Sequence, residues 1–308
     1  MQSALARPVS CEGVGLHSGA PVRMTLAPAP AGTGIVFERT DRAGGRIAAV
    51  YDRVVDTRLG TTIENTHGVR VSTIEHLMSA FAGLGIDNAV VELSAGEVPI
   101  MDGSAAPFVR MIEAAGVATL GVPRRALRVL RPVTLRDGEK LAVLTPAEES
   151  VVECEISFAS SAIGRQHLQF SGGAAAYIEL VAGARTFGFA HEIAHLRKAG
   201  LALGGSLENA VVVDGDSIVN PEGLRSSNEF VRHKVLDAIG DLALAGGPIL
   251  GRFRSVRGGH DLNNRILRTL FANPSAFEWV DLDGTASRAV PAGLGHELPA
   301  RAAAAAFA

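Results

Sequence analysis

At 308 residues the chain is long enough for two domains, each able to bury its own core. Its 47% apolar and 20% charged residues make a globular composition that excludes wholesale disorder, and its net charge of −3 gives no basic field, so nucleic acid is not an expected partner. Only Cys11 and Cys154 are present, far apart and without a CxxC pattern, which excludes a thiolate zinc site and reads as two reduced thiols.

Met1 to Ser10 lack the charged region and apolar run of a signal peptide, and no stretch approaches the roughly 18 apolar residues of a membrane-spanning helix. The expected compartment is the cytoplasm. Gly13, Gly15 and Gly19 are spaced GxGxxxG with no helix directly after them, which is neither a dinucleotide nor a P-loop fingerprint. Short strands are expected at Val22 to Ala27, Gly34 to Glu38 and Gly68 to Ser72. From Ser72 the period changes: Ile74, Leu77, Met78 and Phe81 recur at helical spacing, and Gly83 closes the helix. Ala89 to Leu93 reads as a strand. After the Asp102-Gly103 turn, Ser104 can cap a helix from Ala106 to Ala115 that Gly116 stops.

Leu120 to Arg131, with Gly, Pro and a basic cluster, is the candidate linker, and a second round of strands begins near Ala126. Val151 to Phe158 reads as a strand and precedes a Gly-interrupted apolar stretch, Ala184 to Val213. Phe230 to Leu244 is the longest clear helix, and Asn263 to Ala272 is another. Strands followed by helices in each half predict an α+β architecture, compatible with a duplicated unit on element order alone. Asp281 to Ala308, ending in an alanine run, reads as a loosely held tail.

The helix from Phe230 carries a polar stripe. At about 100° per residue, His233, Asp237 and Asp241 fall on one line, with Gly240 beside it and Lys234 at its margin. Val231, Val235, Ala238, Ile239 and Leu242 gather on the other side as a buried face. A His and an Asp four apart can reach one cation. The same pair also occurs on exposed helices, where it contributes a few tenths of a kcal/mol, about 0.2–0.5. Gly240 adds weight to the first reading, because glycine in mid-helix costs about 1 kcal/mol and marks close approach by something else.

In the earlier helix the apolar set leaves Glu75 and His76 to point elsewhere. A carboxylate next to a ligating imidazole suits metal-assisted hydrolysis, but Ser72-x-x-Glu75 is also a capping box, in which Glu75 would only bond back to the Ser72 amide. Neither HExxH nor HxxEH is present. His260 follows Gly258-Gly259 and is expected on a loop where backbone can approach a ligand.

STIEHL around His76, FVRHKVLDAIGD around His233 and Asp237, and RGGHDLNN around His260 together resemble the UDP-3-O-acyl-N-acetylglucosamine deacetylases of lipid A biosynthesis. So do GVGLHSG (Gly13 to Gly19), VPIMDGSAAPFV, ARTFGF (Ala184 to Phe189) and LGGSLENAVVV (Leu203 to Val213), in order from about residue 5 to residue 280. The resemblance implies an α+β fold of two domains of similar topology, residues 1–122 and 123–280, each a sheet packed against two helices, with the active site between them. It also implies that 184–213 forms an apolar passage for an acyl chain; residues 281–308 remain the tail.

It further implies a zinc ion on His76, His233 and Asp237, with Glu75 as the base that takes the proton of the attacking water. Thr186 would meet the developing oxyanion, and His260, oriented by Asp241, would either give a proton to the leaving amine or stabilise the oxyanion, which leaves the division of acid duty between Glu75 and His260 open. Lys234 would meet a phosphate or sugar oxygen, Phe158 would stack on uracil, Phe187 would pack on the sugar and Gly205 would border the acyl chain. Two positions depart from the family pattern. Glu192 stands where an Asp that contacts the sugar is expected, and Arg58 stands where an apolar residue can lie near the acyl chain, which leaves chain-length preference open. The substrate implied is a UDP-linked acylated amino sugar, handled by a monomer. A nucleotide-sugar-binding protein with a structural zinc is the rival; Glu75 discriminates, because a structural site closes with four protein ligands and needs no carboxylate beside an open position.

Overall fold

The computed structural model describes residues 1–282. Its first large sheet has five strands in the order Val9–Val14, Pro21–Pro28, Ala89–Leu93, Ile35–Arg39, Arg46–Ala48. Pairing is antiparallel except between Ile35–Arg39 and Ala89–Leu93. The second sheet has seven strands, all beyond residue 123, built around Ile249–Val256, which pairs with Lys140–Thr145, Ser150–Ser157 and Arg124–Val129. Its outer strand, Phe277–Leu282, pairs with Arg124–Val129. Alternate burial along Pro21–Pro28 and Ile249–Val256 shows each sheet presenting one face to the core. Each half also carries a small three-stranded sheet, one from 54 to 71 and one from 187 to 218. The mixed α and β composition is as expected.

Among the described residues six helices accompany the sheets: α1 (Glu75–Gly83), α2 (Ala106–Ala115), α3 (Ala174–Leu180), α4 (Ala190–Lys198), α5 (Glu229–Leu242) and α6 (His260–Phe271). Among the described residues no helix is long and apolar enough to cross a membrane. The α2 helix has the expected bounds: the Ser104 hydroxyl accepts the Ala106 amide at 3.2 Å, and Gly116 turns the chain out at φ 70. Helices α1 and α5 meet at the centre, where a Cβ on Gly240 would lie 2.0 Å from the carbonyl oxygen of Glu75. The close approach that Gly240 signals is therefore the backbone of the other helix. Further along α1, Gly83 leaves room for the ring of Tyr177, whose hydroxyl donates to Ser79 at 2.9 Å. Contacts from α6 to the first half add to this: Asn264 donates to the Tyr51 carbonyl, Arg268 to the Val54 carbonyl, and Phe271 stacks on Tyr51 at 4.2 Å.

Packing decides two readings that the sequence left open and corrects several others. The polar stripe of α5 is as buried as its apolar face, because α1 covers it while strand Ser150–Ser157 covers the other side. The capping box is not made. Ser72 sits in a bridge with Glu97 and Thr73 adopts φ 57, so α1 starts after Ile74 and the Glu75 carboxylate turns to the amide of Thr61. His260 is the first residue of α6 and not part of a loop; Gly259 before it is extended. The basic residues Arg124 and Arg125 lie in a central strand, which narrows the linker to a few residues before it. Asp281 and Leu282 are strand residues paired with Arg125 and Arg124; the rest of the expected tail, 283–308, lies outside the described residues. Short helices α3 and α4 are additional to two helices per half.

Candidate metal centre and active site

His76 enters from the first turn of α1, and His233 and Asp237 come from successive turns of α5, so the α1–α5 contact sets their separation. All three are buried, and their ligand atoms lie within 4.8 Å of one another. Asp237 Oδ1 is 3.3 Å from His233 Nε2 and 3.6 Å from His76 Nε2. That oxygen is buried without a hydrogen-bond partner among the described residues. A buried carboxylate oxygen so left is costly unless something positive meets it. Burial and the facing His233 hold the His76 imidazole down, to about 3, and burial likewise lowers His233, so both rings are neutral with a lone pair to give. His233 Nδ1 lies 3.1 Å from the Ala184 carbonyl, which takes its N–H and leaves Nε2 toward Asp237. Burial opposes ionisation of Asp237, but the charged Lys234 and His260 beside it outweigh burial and hold the carboxyl well below the usual range. Two neutral imidazoles and one carboxylate with an orphaned oxygen are the donor set of a divalent cation.

Beside them stand two buried titratable groups, Glu75 and His260. Burial raises Glu75 to about 7, with Asp241 and Asp237 adding to the effect. Its Oε2 accepts the Thr61 amide at 2.9 Å, and its Oε1 is 4.0 Å from His260 Nε2. Burial alone would lower His260, but Asp241 and Glu75 reverse that and raise it to about 9. Its Nδ1 donates to Asp241 Oδ2 at 2.8 Å. Asp241 also accepts from Asn263 Nδ2 at 2.9 Å and from the Thr61 hydroxyl at 2.6 Å. A carboxylate near neutrality and a cationic imidazole thus face one another beside the ligand cluster, an arrangement able to take one proton and deliver another.

These groups open into a cleft of about 290 Å³ that Thr186, Phe187 and Lys234 also line. The Lys234 ammonium bonds Asp237 Oδ2 at 2.8 Å and lies 5.6 Å from the centre of the Phe187 ring. Burial disfavours its charge, and Asp237 more than restores it. Phe158 is one ring back, edge-on to Phe187 at 5.7 Å. Glu192 stands exposed on α4, away from the cleft lining. Gly205 is also outside that lining. Its neighbour Gly204 has the stricter steric demand, since a Cβ there would meet the Gly15 carbonyl at 2.3 Å. Arg58 points outward and pairs with Asp56. A larger cleft of about 1240 Å³, between Phe81, Tyr177, Leu242 and Trp279, contains none of the ligand or proton-transfer groups.

Sequence reasoning missed Thr61, Asn263, the Ala184 carbonyl and the pair Arg185–Glu229. Glu229, at the start of α5, accepts Arg185 N and Nε at 3.0 and 2.9 Å and so holds the segment carrying Ala184 and Thr186 over the helix. Each acts on a partner distant in the chain, and none belongs to a spacing pattern that could have flagged it.

The sequence profile described as UDP-3-O-acyl N-acetylglycosamine deacetylase matches residues 2–272. Relatives named UDP-3-O-acyl-N-acetylglucosamine deacetylase include one from Phenylobacterium zucineum, 53% identical over 278 residues, covering 90% of this chain and 95% of its own. One from Myxococcus xanthus is 50% identical over 280 residues, covering 91% and 89% of the two chains. One from Shewanella oneidensis is 46% identical over 300 residues, covering 95% and 98%.

Proposed function

The chain belongs to the UDP-3-O-acyl N-acetylglycosamine deacetylase family, and from that membership we propose that it hydrolyses the N-acetyl amide of a UDP-3-O-acyl-N-acetylglucosamine, with zinc as its metal. The products are acetate and the free amine, and the reaction is an early step of lipid A biosynthesis. The observation that carries the mechanism is the unpartnered Asp237 Oδ1 between two neutral imidazoles, with Glu75 and His260 alongside.

His76, His233 and Asp237 would hold the zinc. When bound there, zinc supplies Lewis acidity, polarising the amide carbonyl and lowering the pKa of water to about 7. Glu75 accepts the proton of the attacking water as the oxygen–carbon bond forms. The Thr186 hydroxyl donates to the developing oxyanion. His260 gives its proton to the nitrogen as the carbon–nitrogen bond breaks, and Asp241 keeps that ring oriented and charged. Lys234 meets a sugar or phosphate oxygen, Phe187 packs on the sugar, Phe158 stacks on the uracil, and Glu192 replaces a family Asp at the sugar. Residues 184–213, with Gly205, form the acyl passage inserted in a second domain, 123–280, that follows a first domain, 1–122. The enzyme is proposed to act as a monomer, and its UDP-linked substrate supports a cytoplasmic setting.

Purified protein should release acetate from the UDP-linked substrate and contain one zinc per chain. His233→Ala should lose both, since only two ligands remain. A His233→Ala protein that keeps near-stoichiometric zinc would refute the ligand assignment, and metal-loaded wild type without acetate release would refute the reaction.

A further inference from the structure

The carboxylates of Glu75 and Asp241 come from different helices, yet the same residue holds one oxygen of each. The Thr61 amide donates to Glu75 Oε2 at 2.9 Å, and the Thr61 hydroxyl donates to Asp241 Oδ1 at 2.6 Å. Their other oxygens face the chemistry: Glu75 Oε1 lies 4.0 Å from His260 Nε2, and Asp241 Oδ2 accepts from His260 Nδ1. We propose that Thr61 is the positioning residue of this site, coupling the orientation of the proton acceptor Glu75 to that of the proton-donating His260–Asp241 pair.

Terminal carboxylate torsions are broad, so a carboxylate held through a single oxygen keeps rotational freedom. Among the described residues, Glu75 has no second hydrogen bond that would replace the Thr61 amide. Asp241 has donors on Oδ2 from His260 and Asn263, both in α6, and the Thr61 hydroxyl is its only tie to the first half of the chain among the described residues. The local backbone is built for this placement. Leu59 takes a left-handed φ of 60, and Gly60 leaves room for the Glu75 carboxylate, which a Cβ would meet at 3.1 Å. Thr61 itself is 1% exposed, so water cannot substitute for its hydroxyl. Losing that donor frees the Asp241 plane, and the His260 ring turns with it.

The kinetic arm of the test rests on the deacetylase reading, and the spectroscopic arm does not. Thr61→Val keeps the shape and the amide but removes the hydroxyl. Thr61→Ser and Thr61→Ala lose the same methyl and differ only in the hydroxyl. For Val and Ala, kcat on the UDP-linked substrate should fall about 10–100-fold, with KM and zinc content unchanged. Ser should recover most of kcat. In the ring ¹H–¹⁵N spectrum, the His260 signals should move in Val and Ala and return in Ser, with or without substrate turnover. Equal kcat for Ser and Ala in an active enzyme, or unmoved His260 signals, would overturn the proposal even if Val fails to fold. Loss of zinc in Ala but not Ser would make Thr61 part of metal retention and would also overturn it. An inactive, metal-loaded wild type would sink the deacetylase reading alone, leaving the spectra to decide Thr61.

Discussion

Gly240→Ala adds one methyl where α1 and α5 cross. Its Cβ would lie 2.0 Å from the Glu75 carbonyl oxygen, 2.8 Å from the carbonyl carbon and 3.1 Å from Cα, all backbone atoms that cannot swing aside. Ordinary contact begins near 3.4 Å, so the helices must part by the difference between 3.4 and 2.0 Å, about 1.4 Å at that point. His76 is the next residue along α1, and Asp237 is three residues before Gly240 on α5. Metal–ligand distances tolerate only about 0.2 Å. The separation therefore breaks the cluster before it breaks the fold. Overpacking costs about 1–3 kcal/mol, and replacing a mid-helix glycine returns about 1 kcal/mol. The net loss is up to about 2 kcal/mol, or a few degrees of Tm at about 2–4 °C per kcal/mol. Zinc content after dialysis against a weak chelator, with thermal unfolding of the metal-free protein, measures both effects. Full zinc occupancy together with an unchanged Tm would refute the claim that this crossing sets the ligand geometry.

Glu75→Gln should keep zinc but lose about 10²–10⁴-fold in kcat, because the amide still fits opposite the Thr61 amide plane yet takes no proton; unchanged kcat would leave Glu75 a purely structural residue. Activity should show an alkaline limb below pH 9, where His260 loses the proton it must donate, because a bound cation opposes the imidazolium that Asp241 and Glu75 favour; Asp241→Asn should move that limb to still lower pH by removing a carboxylate that raises it. The acid limb belongs to Glu75, which must be ionised; a cation beside it favours the carboxylate, so this limb should fall below pH 7. A pH profile unaltered in Asp241→Asn would exclude His260 as the titrating cation. Gly205→Val should raise KM for the acylated substrate more than for one lacking the chain, and equal effects would assign 184–213 to packing.

Periodicity and punctuation made much of this protein legible from its sequence. The bounds of α2, the strand Ala89–Leu93, the α5 stripe and the special status of Gly240 follow from local rules, because side-chain period, caps and glycine act over a few residues. The motifs around His76, His233 and His260 also marked which side chains belong together, through family resemblance. Tertiary structure decided where those side chains meet and what they bond. In sequence, Ser72-x-x-Glu75 reads equally well as a capping box; only the Ser72–Glu97 bridge and the Thr61 amide turn that carboxylate into the site. The α5 stripe could equally have faced water, and it is the packing of α1 that buries it and orphans Asp237 Oδ1. Thr61 and Ala184 were invisible, since backbone amides and carbonyls carry no residue signature, a lone threonine hydroxyl forms no pattern, and their partners lie 14 to 180 positions away. Local preference propagates a few residues along the chain, whereas a buried polar group is matched by whatever the fold brings to it.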